Sequence, residues 1–161
     1  YIGFAVTAPF KKVAAQAISS PREAVNTLVR TAHGWMGSNS DVEGAKAVFQ
    51  ALRAREITVL GDGGVADALR EAAGRDVALR FVRRDNAETV TGTAIYTWPA
   101  SIGMPPTLRF VDARIAVIAY GSAARQIAQQ IKNRGGVPIF LGPKWFVAQA
   151  RRQRQLWEQG I

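Results

Sequence analysis

The chain of 161 residues has no cysteine, one histidine and two methionines. The lack of cysteine excludes a disulfide framework and a thiolate metal site, and it is compatible with a reducing compartment. No apolar run approaches the roughly 20 residues that a membrane-spanning helix needs. Hydrophobic residues at 48% and charged residues at 20% instead describe a globular protein with one sizeable core.

Acidic residues are few, since 12 Asp and Glu stand against 21 Lys and Arg, a formal net charge of +9. Such a charge attracts anions and can promote nucleic-acid binding. The basic residues are scattered, however, and aromatic residues do not alternate with them as stacking platforms for bases would. A basic surface that favours phosphorylated cofactors is the preferred interpretation, and a basic nucleic-acid-binding module is the less favoured alternative.

The hydrophobic pattern over the first 40 residues predicts three short strands and a helix. A strand over residues 3–7 ends at Pro9, and a helix follows over residues 11–18. A second strand is predicted over residues 25–30, and the turn at Gly34 leads into a third.

From Asp41 onward, helices and strands alternate as in a βαβ fold. Residues 41–53 have the apolar face of a helix, and residues 57–60 form the continuous apolar run of a buried parallel strand. Further strands are predicted over residues 77–82, 93–97, 115–119 and 137–141, and further helices over residues 65–73, 123–134 and 143–159. The sequence therefore predicts an α/β fold with a Rossmann-like, mostly parallel sheet.

One connection in this sheet is short. About ten residues separate the strands that end near Val82 and begin near Thr93, whereas a parallel crossover usually takes a dozen or more. Either the sheet is abbreviated or one of its strands is antiparallel.

The segment Gly61-Asp62-Gly63-Gly64-Val65 follows an apolar strand and begins a helix. Glycines let the backbone approach a pyrophosphate, and the helix N-terminus supplies N–H groups and a positive dipole. The alternative is a plain strand-to-helix turn. The predicted cofactor-binding residues here are Gly61, Gly63, Gly64 and Val65.

Arg83 and Arg84 stand at the end of the next strand, where an NAD-binding domain usually carries an acidic residue for the ribose 2′-hydroxyl. Two guanidinium groups suit a 2′-phosphate instead. They predict a preference for NADP over NAD, with a solvated basic strand end as the alternative.

Three polar segments, residues 3–11, 24–27 and 39–44, follow one another at the ends of apolar runs. A lysine and an aspartate from separate segments can meet and handle a proton, while an asparagine between them can hold a hydroxyl. In their order and in their amino-acid sequences, the segments resemble those of shikimate dehydrogenases. That family has N-V-T-x-P-x-K, A-V-N-T and N-T-D-x-x-G, which supply a catalytic lysine, a substrate asparagine and a catalytic aspartate.

The resemblance implies a role for residues along most of the chain. Residues 142–150 are similar to the family's G-x-x-M-L-x-x-Q-A, whose glutamine reaches the substrate, and residues 120–122 correspond to its Y-x-P at the nicotinamide pocket. The implied catalytic residues are Lys11 and Asp41, the implied substrate-binding residues are Thr7, Asn26 and Gln149, and Tyr120 and Gly142 join the cofactor-binding set. No residue is assigned to a metal.

The resemblance also implies an activity and a domain organisation. The expected reaction is hydride transfer between NADPH and 3-dehydroshikimate, giving shikimate, in the cytoplasm, with no membrane partner. Residues 1–40 would be the remaining part of a substrate-binding domain, residues 41–141 the NADP-binding domain, and residues 142–161 a helix that packs on the substrate domain.

The chain departs from the family at the substrate side. The family's paired serines, which grip the substrate carboxylate, have no counterpart, and Ala5 stands where the family has asparagine. We therefore expect the sequence to be a piece of a longer chain that binds NADP(H) and turns over slowly by itself. A cofactor-binding module without dehydrogenase activity is the alternative.

Overall fold

Two β-sheets, one antiparallel and one parallel, organise the computed structural model of the chain, which describes residues 2–159. The strands are β1 (Gly3–Ala5), β2 (Thr27–Thr31), β3 (Gly34–Ser38), β4 (Glu56–Leu60), β5 (Ala78–Val82), β6 (Thr89–Tyr96), β7 (Arg109–Val117) and β8 (Val137–Phe140). The helices are α1 (Lys11–Ala17), α2 (Asp41–Leu52), α3 (Gly64–Ala73), α4 (Gly121–Lys132) and α5 (Gly142–Gln159). The predicted α/β fold is confirmed.

The first sheet is built from the N-terminal strands β1, β2 and β3, in that order and antiparallel throughout. Strands β1 and β2 and helix α1 lie within two residues of their predicted bounds at each end, and β3 follows the predicted turn at Gly34. Pro9 and the turn around it separate β1 from α1, so that Lys11 becomes the first residue of the helix.

The second sheet has the strand order β5-β4-β6-β7-β8, and every neighbouring pair is parallel. An antiparallel strand, one of the two alternatives for the short connection, is therefore wrong. The connection is short because β6 begins at Thr89, four residues before the predicted start, and residues 83–88 hold only the 3₁₀ turn Arg84–Asn86. The first half of β6 was missed because Thr89 and Thr91 are polar, so it has no continuous apolar run. A bulge between Thr91 and Gly92 leaves Asp112 of β7 without a partner in the β6–β7 pairing.

The parallel sheet carries a core on each face. Helices α2, α3 and α5 cover one face, where the buried residues include Val48, Leu69 and Trp145. Helix α4 and the segment between β6 and β7 cover the other, where they include Tyr96, Trp98 and Ile127. Because the β5–β6 connection carries no helix, a groove of about 790 Å³ stays open over β4, β5 and β6. Its lining includes Thr58, Arg80, Thr89, Thr91 and Thr93.

Helix α5 contacts both parts of the chain. Its Trp145 packs so closely on α2 that a Cβ added to Gly44 would lie 2.7 Å from the indole ring. At the other end, the Trp157 indole donates a hydrogen bond of 3.1 Å to the carbonyl of Leu28 in β2. The predicted units 1–40, 41–141 and 142–161 remain a prediction, and their outermost residues 1, 160 and 161 lie outside the described range.

Gly142 is expected to be needed for the stability of the fold. A Cβ at this position would lie 2.2 Å from the carbonyl oxygen of Ala119, at the turn that follows β7. Gly142→Ala should therefore lower the free energy of unfolding by about 1–3 kcal/mol, the usual cost of overpacking. Gly63→Ala is the matched control, because nothing lies within 4 Å of the added Cβ there. Urea unfolding compares the two variants, and equal stabilities would contradict the expectation.

Candidate active site

A cleft of about 460 Å³ lies between the antiparallel sheet and the carboxyl ends of the parallel strands. This is the edge at which open α/β sheets bind their ligands. Residues 5–8, Lys11 of α1 and Asn26 just before β2 line one side, and residues at the ends of β6 and β7 and in α5 line the other. Its lining includes Thr7, Lys11, Asn26, Asp41, Val65, Tyr96, Thr97, Tyr120, Trp145, Gln149 and Gln153.

Lys11 and Asp41 form an ion pair in this cleft, with Lys11 Nζ donating a hydrogen bond to Asp41 Oδ2. Each is the first residue of its helix, α1 or α2, and both residues line the cleft. The Lys11 side chain is 18% exposed and that of Asp41 5% exposed. The ammonium is therefore open to a ligand, while the carboxylate behind it holds the positive charge in place.

Asn26 is fixed by its carbonyl oxygen. Oδ1 accepts hydrogen bonds from the backbone N–H of Ser40 (2.7 Å), from the Ser40 hydroxyl (3.0 Å) and from the Thr27 hydroxyl (2.9 Å). The amide nitrogen has no partner among residues 2–159 in this network and belongs to the lining of the cleft. The arrangement leaves an N–H donor for a hydroxyl or carbonyl oxygen.

Gln149 is held in a similar way from α5. Its Oε1 accepts a hydrogen bond of 3.0 Å from the Trp145 indole, one helical turn earlier, so its amide nitrogen is the end left for the cleft. One turn later, Gln153 donates a hydrogen bond of 3.2 Å to the carbonyl of Asn26 and ties α5 to β2.

Thr7 and Tyr120 are at the open side of the cleft, and both are exposed. Tyr120 is the residue before α4 and contacts the ring of Phe146 edge-on, with the ring centroids 5.7 Å apart. Gly142 is buried and does not line the cleft. Because it has no side chain, it allows the start of α5 to lie against the carbonyl of Ala119.

The glycine-rich turn forms the end of β4 and the start of α3. Gly61 has φ +130°, and a Cβ there would lie 2.3 Å from the Thr97 hydroxyl, so only glycine fits. Gly63 and Gly64 have nothing within 4 Å of an added Cβ, which leaves the backbone open to an approaching group. The first N–H groups of a helix have no hydrogen-bond partner within the helix. Because the N-cap residue Gly63 has no side chain that could accept from them, these groups of α3 can bind an anion.

The two arginines after β5 are separated by the structure. Arg83 Nη2 lies 3.7 Å from Asp62 Oδ2 in the glycine-rich turn. Arg84 instead donates a hydrogen bond to the carbonyl of Gly103 and does not line the hollow beside Arg83. That hollow, of about 490 Å³, is lined by Asp62, Arg80, Phe81, Val82, Arg83 and Asn86.

Tyr96 was not identified from the sequence. It is 2% exposed, lines the cleft at the end of β6, and its hydroxyl has no hydrogen-bond partner among the described residues. Burial raises the pKa of the phenol, and the charges of Arg84 and Arg134 act in the opposite direction. The rule that ligands bind at the carboxyl ends of parallel strands would have found Tyr96 and Thr97, because the predicted strand ended at residue 97.

Neither a membrane-spanning helix nor a cluster of metal ligands is found within residues 2–159. No helix there is long and apolar enough to span a bilayer. No group of three or more histidine or acidic side chains there could hold a metal ion.

No family model matches the chain, but curated shikimate dehydrogenases are similar to it in sequence. The shikimate dehydrogenase (NADP(+)) of a Synechocystis species is 40% identical over 77 residues, which cover 42% of this chain and 27% of that protein. The matched part of this chain thus spans about a quarter to a third of the length of such relatives.

Solved structures extend the similarity to the whole fold. Shikimate dehydrogenase 1 from Peptoclostridium difficile superposes with a TM-score of 0.75 at 17% identity and covers 99% of this chain and 72% of that one. The 5-ketofructose reductase of a Gluconobacter strain gives a TM-score of 0.68, also at 17% identity, over 98% and 73% of the two chains. The chain is thus similar to the shikimate dehydrogenases, in sequence over part of its length and in fold over nearly all of it.

Proposed function

We propose that the chain is an NADP-dependent oxidoreductase of the shikimate dehydrogenase type, which reduces 3-dehydroshikimate to shikimate. The observation that carries this proposal is the Lys11–Asp41 pair, placed in a cleft at the carboxyl ends of a parallel sheet. The proposal includes a cytoplasmic location and a small-molecule substrate as the partner, with nucleic acid disfavoured.

The pair has the chemistry that carbonyl reduction needs. Negative charge develops on the carbonyl oxygen as a hydride reaches the carbon, and the Lys11 ammonium can stabilise that charge and donate a proton to the oxygen. Asp41 accepts a hydrogen bond from the ammonium and holds it in position for the reaction. In the direction of oxidation, neutral Lys11 would take the proton back from the hydroxyl.

The neighbouring amides supply orientation. Asn26 and Gln149 each have the carbonyl oxygen occupied by a protein donor, so both direct N–H groups at the cleft. We assign them to the hydroxyls of a polyhydroxylated substrate, together with the Thr7 side chain. Fixed donors of this kind reduce the entropy lost when the substrate is positioned for reaction.

The residues around the glycine-rich turn fit an NADP cofactor, which supplies the hydride when it is bound. The open backbone at Gly63 and Gly64 and the first turn of α3, which includes Val65, suit a pyrophosphate. Gly61 keeps the turn tight, and the guanidinium of Arg83 at the end of β5 suits a 2′-phosphate. Tyr120 and the end of β7 would lie beside the nicotinamide. We keep Arg84 and Gly142 in the cofactor-binding set as supports of the surrounding loops.

One observation favours a second candidate, a cofactor-binding module without dehydrogenase activity. Among the described residues that line the cleft, Lys11 is the only cationic side chain. A substrate carboxylate would therefore have no arginine or second lysine of this chain to bind.

An assay of NADPH consumption separates these functions. We expect NADPH to change the fluorescence of Trp98 and Trp145, which line the cleft, and added 3-dehydroshikimate to consume NADPH slowly. Binding of NADPH without consumption would assign the chain to the second candidate. Consumption with 5-ketofructose alone would contradict the proposed substrate, and the absence of NADPH binding would contradict both candidates.

A further inference from the structure

Asp62 brings a negative charge to the place where the cofactor phosphate is expected. It is the second residue of the glycine-rich turn, and its carboxylate contacts two arginines. Oδ1 accepts a hydrogen bond from Arg70 of α3, and Oδ2 lies 3.7 Å from Arg83 Nη2. The hydrogen bond from Arg70 lowers the pKa of Asp62, with a smaller contribution from Arg83, so the carboxylate is charged at neutral pH.

Asp62 differs in origin from the acidic residue of NAD-binding domains. In such domains the acidic residue stands at the end of the second strand and binds the ribose 2′-hydroxyl. Here Arg83 holds that place in the sequence, and Asp62 approaches Arg83 from the glycine-rich turn. A hydrogen bond of 3.0 Å from the Gly61 N–H to the Val82 carbonyl fixes the turn against the end of β5. Asp62 and Arg83 therefore line the same hollow.

We propose that Asp62 sets the selectivity of this chain between NADP(H) and NAD(H), because its carboxylate competes with a 2′-phosphate for Arg83. The inference rests on the proposed use of this turn as a dinucleotide site. A phosphate that binds Arg83 must lie beside a fixed negative charge or displace it, whereas a neutral ribose hydroxyl meets an acceptor. Asp62 therefore lowers the preference for NADP(H) that Arg83 alone would give.

The ion pairs of α3 provide a matched pair of variants. Arg70 also pairs with Asp67 at 2.9 Å, and its guanidinium lies 4.0 Å from the centroid of the Phe81 ring. Arg70 keeps these two contacts when Asp62 is replaced, so Asp62→Asn should fold. Asp67→Asn is the control, because it removes a negative charge that contacts Arg70 and leaves the surroundings of Arg83 unchanged.

The test is the ratio of the dissociation constants of NADH and NADPH, measured by calorimetry. Asp62→Asn is expected to raise this ratio about tenfold, equivalent to about 1.4 kcal/mol, mainly by tightening NADPH. Asp67→Asn should leave the ratio unchanged. On the Arg83→Ala background the effect of Asp62→Asn should shrink, because the competition for Arg83 is gone.

Three results would overturn the inference. An unchanged ratio in Asp62→Asn, with NADPH binding intact in the unaltered chain, would remove this role and leave the proposed function standing. A loss of NADH affinity at constant NADPH affinity would make Asp62 a ribose ligand and not a competitor. Failure of the unaltered chain to bind either dinucleotide would overturn both this inference and the proposed function.

Discussion

Replacing Lys11 with alanine is expected to lower the rate constant of 3-dehydroshikimate reduction by about 10²–10⁴-fold, the range typical of a positioned general acid. The variant has no group at this position that can stabilise the developing oxyanion or protonate it. NADPH affinity should stay within a factor of about two, because Lys11 does not line the hollow beside Arg83 and is not assigned to the cofactor. Single-turnover measurements at saturating substrate give the rate constant separately from binding.

Lys12→Ala is the matched control for this prediction. Lys12 is the next residue of α1 and is exposed, and it does not line the cleft. An equal loss of rate in the two variants would contradict the assignment of Lys11. Because Lys11→Ala leaves the Asp41 carboxylate without its partner, thermal unfolding of both variants separates a loss of structure from a loss of chemistry.

Replacing Arg83 with alanine is expected to weaken NADPH binding by about 1.5–3 kcal/mol, the value of hydrogen bonds to a charged group. This corresponds to a loss of affinity of roughly 10–150-fold. NADH carries no 2′-phosphate, so its affinity should change little, and the two cofactors should become nearly equal. Calorimetric titration of both cofactors makes the comparison.

Arg84→Ala is the control for the arginine prediction, since the Arg84 guanidinium is bound to the carbonyl of Gly103. It should alter the ratio of affinities much less than Arg83→Ala. Equal affinities of the unaltered chain for NADPH and NADH would contradict the prediction. A larger change of the affinity ratio in Arg84→Ala than in Arg83→Ala would contradict it as well.

The fold could be predicted from the sequence wherever a local pattern decides the structure. The apolar run of β4 and the amphipathic periods of α2 and α4 are of this kind, and their observed bounds lie within two residues of the prediction. The start of β6 was missed because Thr89, Thr91 and Gly92 break the apolar pattern on an open face. Pairing with β7 supplies the hydrogen bonds that make this segment a strand, and such pairing is not a local property.

The candidate site was predictable as a set of residues but not as a set of contacts. Motif order singled out Lys11 and Asp41, which are 30 positions apart and form an ion pair in the structure. No motif indicated that Trp145 would bind the side chain of Gln149 or that Asp62 would reach Arg83. These contacts depend on rotamers and on how neighbouring elements approach each other, and sequence spacing does not encode them.

The open groove over β4, β5 and β6 has a consequence for how the chain avoids self-association. Strand β5 is at the edge of the parallel sheet, and a bare edge beside an uncovered face is a template for pairing with another strand. The exposed residues of β5 are Ala78 and Arg80, and Arg80 donates a hydrogen bond of 3.3 Å to the Thr58 hydroxyl on β4. A charge on an edge strand disfavours the approach of a second copy. The threonines of the groove favour the strand conformation and place polar hydroxyl groups on this face, so we expect the edge to resist pairing with a second copy even without a covering helix.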